Sequence, residues 1–303
     1  MEASPSCFAP AGSPFDLAAD GAYQRWRTTR LACTPRSLEP LSVEDATALA
    51  AAERAALATA IVRGGFAIYR TALRRDDPTL PARLAAQLGM QCLDANWLAG
   101  EDGVSRITVG GGSDGAGGFI PYTDRAIGWH TDGYYHPQQR RIRGMVLHCV
   151  RPAGAGGENR LLDPDLAYIA LRDRDPRLVR ALMQPDAMTI PAREDAGGVA
   201  RAEQSGPVFS VDEGGALHMR YTARTRSIAW KPDAATLDAV AALQEVLESS
   251  PFVRHVRMEA GMGLVGRNVL HDRSAFTDDP RSPRLVLRAR FLDAPGEGPW
   301  RNG

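Results

Sequence analysis

The sequence predicts an α+β fold that is mainly β: a double-stranded β-helix (jelly roll) core with flanking helices. Three observations carry that expectation. Short apolar runs crowd the C-terminal end, at residues 252–258, 263–270 and 285–292, and each reads as a strand. Leu237, Val240, Leu243 and Leu247 recur at helical spacing between Pro232 and Pro251, which makes one amphipathic helix suited to lie on a sheet. His130 and His271 are far apart in sequence, and antiparallel strands in two facing sheets would bring them together.

Taken in chain order, residues 1–38 are rich in Pro, Ser, Ala and Gly with little periodicity, and are expected to form a partly ordered lead-in. Residues 39–303 are expected to form one domain. Ser42-Val43-Glu44-Asp45 resembles a helix start, with Ser42 capping the free backbone donors of an Ala-rich run that reaches Val62. A strand at 66–69, a short helix at 82–88 and a strand at 106–109 follow. Six of the nine residues from 110 to 118 are glycine. They lack the Lys-Ser/Thr ending of a phosphate loop, so a mobile lid near the site is the better reading. Residues 145–150, 208–211 and 216–221 read as further strands, and no internal repeat is visible.

Composition narrows the function class only modestly. The chain has 303 residues, 44% hydrophobic, and a formal net charge of zero. That is enough apolar content for a sizeable core, and no basic excess advertises nucleic acid as a partner. Cys7, Cys33, Cys92 and Cys149 are widely spaced, without a Cys-x-x-Cys pair. They read as reduced thiols, not as a zinc site or a disulfide framework. No basic leader joined to an apolar run and no long apolar stretch is evident, so a cytoplasmic protein without membrane contact is expected. Self-association is left open.

The informative chemistry is His130-Thr131-Asp132, followed by His271 and then by Arg284 and Arg288. Two imidazoles and a carboxylate can take three neighbouring positions on a divalent iron and leave three open for oxidant and co-substrate. With six His and 36 acidic residues in the chain, about 0.7 His-x-acid triplets arise by chance, so context has to decide. Residues i and i+2 of an extended segment point to one side, which lets His130 and Asp132 reach one metal while Thr131 turns away. A zinc hydrolase could use the same three ligands. A catalytically silent jelly-roll binding protein is the other alternative.

Four segments taken together favour the oxygenase among these readings. They are Gly128-Trp129-His130-Thr131-Asp132-Gly133-Tyr134-Tyr135, Gly154-Ala155-Gly156-Gly157-Glu158-Asn159, Arg267-Asn268-Val269-Leu270-His271-Asp272-Arg273 and Pro283-Arg284-Leu285-Val286-Leu287-Arg288-Ala289-Arg290. In order and spacing they resemble the motifs of the taurine/2,4-D dioxygenase (TauD/TfdA-like) group, over roughly residues 40–295. The resemblance implies an Fe(II)- and 2-oxoglutarate-dependent oxygenase that uses dioxygen to hydroxylate a small polar or anionic molecule.

Carried over by position, the resemblance makes His130, Asp132 and His271 the iron ligands. Arg284 becomes the partner of the distal carboxylate of 2-oxoglutarate, a task that suits the planar fork of a guanidinium. Arg288 would serve the co-substrate or the substrate. Asn159 stands where relatives carry a Thr or Ser, and its amide can donate to a carboxylate as a hydroxyl does. Residues 264–267 keep only the arginine of the usual Trp-Asp-Asn-Arg. Asp132 fills the position that iron halogenases leave small, which favours hydroxylation, desaturation or cleavage over halogenation. Tyr134, Tyr135, His218 and Arg220 are candidates for the substrate pocket, and Asp272 and Arg273 for bracing the distal ligand. The substrate itself is not specified by fold or metal chemistry.

Overall fold

The computed structural model describes residues 9, 11–94, 100, 102–110, 120–195, 198–224, 226 and 228–296, without the side chains of 194, 195 and 198–200. Among these residues the chain is mixed helix and sheet with six α-helices. It packs as two compact units. One comprises Met1–Thr34, Trp129–Arg141 and Leu162–Val253; the other comprises Pro35–Gly128, Ile142–Leu161 and Arg254–Gly303.

The second unit is built on a six-stranded sheet in the order Leu41–Ser42, Phe66–Arg70, Met262–Arg267, Gly144–Arg151, Leu285–Phe291, Ser105–Ile107. Only the first pair is parallel. Alternation along the strands sorts the side chains between two cores. Leu285, Leu287, Ala289 and Phe291 join Leu57 and Ile61 of helix Ala51–Gly64 and Leu80 and Leu84 of helix Thr79–Gln87 on one face. Val286 joins Met145, Leu147 and Leu264 on the other. Arg284, Arg288 and Arg290 have the parity of Val286, so this apolar face is also where the arginines lie. A smaller sheet of the same unit pairs Arg254–Val256 with residues 159–161, and Leu270–Arg273 runs along its other side.

In the first unit, helix Asp20–Cys33 packs on helix Pro164–Arg174. It lies within the span read as lacking periodicity, because its inward face is Tyr23, Trp26 and Arg30, not a row of Leu and Val. Tyr23 donates to Asp173 at 2.7 Å, and Trp26 packs edge-on against Tyr168 with centroids 6.1 Å apart. Arg30 is buried, with Nη2 on Asp163 and Nε 3.0 Å from Asp165, both carboxylates also buried. Removing one partner of such a pair strands the others' charge in low dielectric. Arg30→Ala should therefore cost about 3–5 kcal/mol in urea unfolding. A loss below about 1 kcal/mol would place this pair with exposed ones.

Several expectations are corrected. Ser42 starts no helix: it pairs with Arg70, and Val43 N donates to Arg70 O at 2.8 Å. Pairing beside the strand Phe66–Arg70 takes the backbone that a cap would have freed, and the helix begins at Ala51, where Glu53 reaches back to Ala50 N at 2.9 Å. Helix Ala234–Ser249 forms as expected, capped by Asp233 on Thr236 N at 2.7 Å. Leu237 is nevertheless 50% exposed; the buried face is Thr236, Ala239, Val240, Ala242, Leu243 and Leu247. Residues 263–270 split into Met262–Arg267 and Leu270–Arg273. Helices Pro164–Arg174 and Pro176–Leu182 start at Asp163-Pro164 and Asp175-Pro176, cap-plus-proline signals passed over in the sequence. Of the glycine-rich run, residues 111–118 lie outside the described residues.

Candidate active site

In the first unit, Trp129, His130 and Thr131 pair with residues 221–223: Ala223 N donates to Trp129 O at 2.7 Å and Thr131 N to Tyr221 O at 3.0 Å. Thr131 Oγ1 accepts from Tyr221 N at 3.1 Å. The middle side chain is thus turned to the neighbouring strand, while His130 and Asp132 share the opposite parity, both buried. Gly133 at φ 67° then turns the chain, with His136 N donating to Gly133 O at 2.8 Å.

This turn walls an open cleft. Asp132, Tyr134, His136, Ser210, His218 and Arg220 are among its lining residues. Arg220, expected as a substrate contact, lines this cleft and is also held by backbone carbonyls. Its guanidinium donates to Tyr134 O (2.7 Å), Met188 O (2.9 Å), Gly206 O (3.3 Å) and Gln204 O (2.7 Å). Burial lowers its pKa to about 10. It is a staple fastening the turn after Asp132 to residues 204–206, and it shapes the cleft by holding its walls.

In the second unit, His271 is buried and its Nδ1 lies 2.9 Å from Val269 O. A carbonyl only accepts, so Nδ1 carries the proton and, in the neutral ring, Nε2 carries the lone pair that a metal requires. Asp272 points to the opposite side and clamps Arg160, accepting from its backbone N at 2.8 Å and its Nε at 2.7 Å. Asn159, expected to face the co-substrate, directs Nδ2 to Asp272 O at 2.6 Å. That contact makes it a cross-strand brace, and its buried Oδ1 has no hydrogen-bond partner.

Arg284 sits over the Phe276 ring, Cζ 5.2 Å from the centroid, with Arg273 over the same ring at 4.7 Å. Arg273 donates to Pro121 O, Thr123 O and Arg125 O, yet its Nε is buried without a partner. Arg284 Nη1 is likewise buried and unanswered. Burial holds the Arg284 pKa below the usual arginine range; burial and then the charge of Arg284 bring Arg273 to about 10. Asp278 accepts from Arg284 N at 2.7 Å, but the two cations around one ring each keep an unused side-chain donor. The sequence points to Arg284 for the co-substrate and to Arg273 only for bracing His271. Its spacing of two from His271 was the available signal. Arg288 is buried with the same strand parity, whereas Arg290 is neutralised by Asp94 at 2.6 Å.

The family described as "Taurine catabolism dioxygenase TauD, TfdA family" matches residues 33–290. The chain belongs to the TauD/TfdA family. It is accordingly an iron- and 2-oxoglutarate-dependent dioxygenase acting with dioxygen on a small molecule. A uridine-5'-phosphate dioxygenase from Streptomyces sp is 36% identical over 206 residues, 64% of this chain and 71% of that protein. One from Amycolatopsis sp is 32% identical over 177 residues, 55% of this chain and 61% of that protein. Among solved structures, an asparagine oxygenase complex covers 80% of each chain at TM-score 0.56 and 17% identity. The non-haem iron oxygenase OrfP covers 81% of this chain and 82% of its own at TM-score 0.58 and 18% identity. These two share the fold with this TauD/TfdA member. Among the described residues no helix is long and apolar enough to cross a membrane.

Proposed function

We propose that His130, Asp132 and His271 hold Fe(II), that Arg284 with Arg273 holds the distal carboxylate of 2-oxoglutarate, and that the enzyme hydroxylates a small polar or anionic metabolite. The sheets would then form the jelly-roll core of such oxygenases, in a cytoplasmic protein. The three ligand candidates are each buried, His130 and Asp132 in the first unit and His271 in the second. The donor set fits iron: two imidazoles, one with its lone pair on Nε2, and a carboxylate.

The observation that carries the co-substrate assignment is the pair of buried, unanswered donors on Arg284 and Arg273. A carboxylate would supply the missing acceptors. A zinc hydrolase has no need of such a clamp.

When bound, iron with 2-oxoglutarate and dioxygen supplies an oxidant able to take hydrogen from a C–H bond, with succinate and carbon dioxide released. The chain's own part is positional. Val269 O orients the His271 ring, Arg220 holds the turn after Asp132, and Phe276 gives the two arginines an apolar floor. Substrate would enter the cleft lined by Asp132, Tyr134 and His218. Because two relatives are uridine-5'-phosphate dioxygenases, nucleoside monophosphates are the first candidates. Succinate formation from 2-oxoglutarate, screened against uridine 5'-monophosphate and other small anions, tests this. Stimulation by neutral metabolites alone would contradict the anionic preference.

A further inference from the structure

Tyr134 and Tyr135 directly follow the His130-x-Asp132 segment, and in the first unit they lie among arginines. Arg224 Nη1 donates to Tyr134 Oη at 3.1 Å. The Arg201 guanidinium carbon is 5.7 Å from the Tyr135 ring centroid, within cation–π range. Arg201 gives Nη2 to Pro191 O at 2.8 Å, while its Nε is buried with no hydrogen-bond partner. Tyr134 and Tyr135 meet edge to face with centroids 5.3 Å apart, so the two contacts belong to one cluster.

The electrostatics agree with this geometry. Burial first, and then the like charges of Arg193 and Arg224, hold the Arg201 guanidinium below its usual range, with the two tyrosines opposing. A partly desolvated guanidinium with a buried, unused Nε, as Arg201 has, is costly unless an anion joins it. A single carboxylate would engage one fork. Two guanidiniums suit the three terminal oxygens of a phosphate, which can accept from more than one fork at once.

We propose that Arg201 and Arg224 form the subsite for a phosphate monoester on the substrate, with Tyr134, which also lines the cleft beside Asp132, joining that subsite to the place of reaction. The assignment deepens the oxygenase reading and rests on it for the identity of the bound molecule as substrate. It is separate from the Arg284–Arg273 pair proposed for the co-substrate. The tyrosine faces add an apolar surface on which a flat base or a sugar can pack.

Calorimetric binding to the full chain tests this without turnover, with uridine 5'-monophosphate, uridine and inorganic phosphate as probes. Uridine 5'-monophosphate should bind more tightly than uridine. Arg201→Gln and Arg224→Gln should each weaken it roughly tenfold or more, the size of a charge-assisted hydrogen bond, while uridine binding stays as in the wild type. Arg201→Lys should recover part of the loss, because it restores charge without the fork. Circular dichroism identifies any variant that fails to fold, and the other variant then decides. Equal affinity of the wild type for the nucleotide and the nucleoside, no nucleotide binding at all, unchanged nucleotide affinity in a folded Gln variant, or equal losses for uridine would overturn the proposal. Absence of 2-oxoglutarate-dependent succinate in the wild type would strike the oxygenase reading instead, and leaves the anion titration readable.

Discussion

Asp132→Ala should abolish substrate oxidation while leaving the unfolding transition close to that of the wild type. The side chain is buried in the wall of a cleft at a turn, outside both hydrophobic clusters of the large sheet, so little packing depends on it. As a proposed ligand, its loss should exceed the about 10–100-fold that removing an outer partner of a metal site costs. Added chloride is not expected to restore productive chemistry, although the truncated position resembles that of the halogenases. Wild-type succinate and product formation by the folded variant would remove Asp132 from the iron site.

Arg284→Ala should raise the 2-oxoglutarate requirement strongly. Truncating one side of a buried charge-assisted pair costs on the order of 2–5 kcal/mol, or roughly 30-fold to several thousand-fold in affinity. The unanswered Nη1 of Arg284, which sits over Phe276, is the reason to expect the upper part of that range, since among the described residues no hydrogen bond already engages that nitrogen. Arg288→Ala should instead affect the prime substrate at least as much as the co-substrate, if the residue faces an anionic substrate group. Titrating 2-oxoglutarate and substrate against both variants separates the roles. Equal effects on 2-oxoglutarate alone would assign both arginines to the co-substrate, and substrate charge would then rest on Arg201 and Arg224.

What the sequence made legible, and what it did not, follows from the range over which each signal acts. Strand alternation is local, so the run from Leu285 to Phe291 was readable, including that its arginines share a face. The i, i+2 arrangement of His130 and Asp132 was legible for the same reason, and the Thr131–Tyr221 bonds bear it out. Signals that depend on a distant partner were not legible. Helix Asp20–Cys33 is held by Asp163, Asp165 and Asp173, more than a hundred residues away, and its inward face is aromatic and charged. Ser42 has the chemistry of a cap, but pairing beside Arg70 overrides local propensity. The four carbonyls around Arg220 come from residues 134, 188, 204 and 206, and only the fold reveals them.

The assignment of three ligands drawn from distant positions in the sequence is tested most directly by an anaerobic titration of Fe(II) into the full chain with 2-oxoglutarate present. The reading is the visible charge-transfer absorption that Fe(II) gives when chelated by a 2-oxo acid. The wild type should saturate at a single iron, His271→Ala should lose the band while remaining folded, and Arg284→Ala should show it only at raised 2-oxoglutarate. A full band at wild-type iron affinity in His271→Ala would contradict the account, because the third ligand would then lie elsewhere.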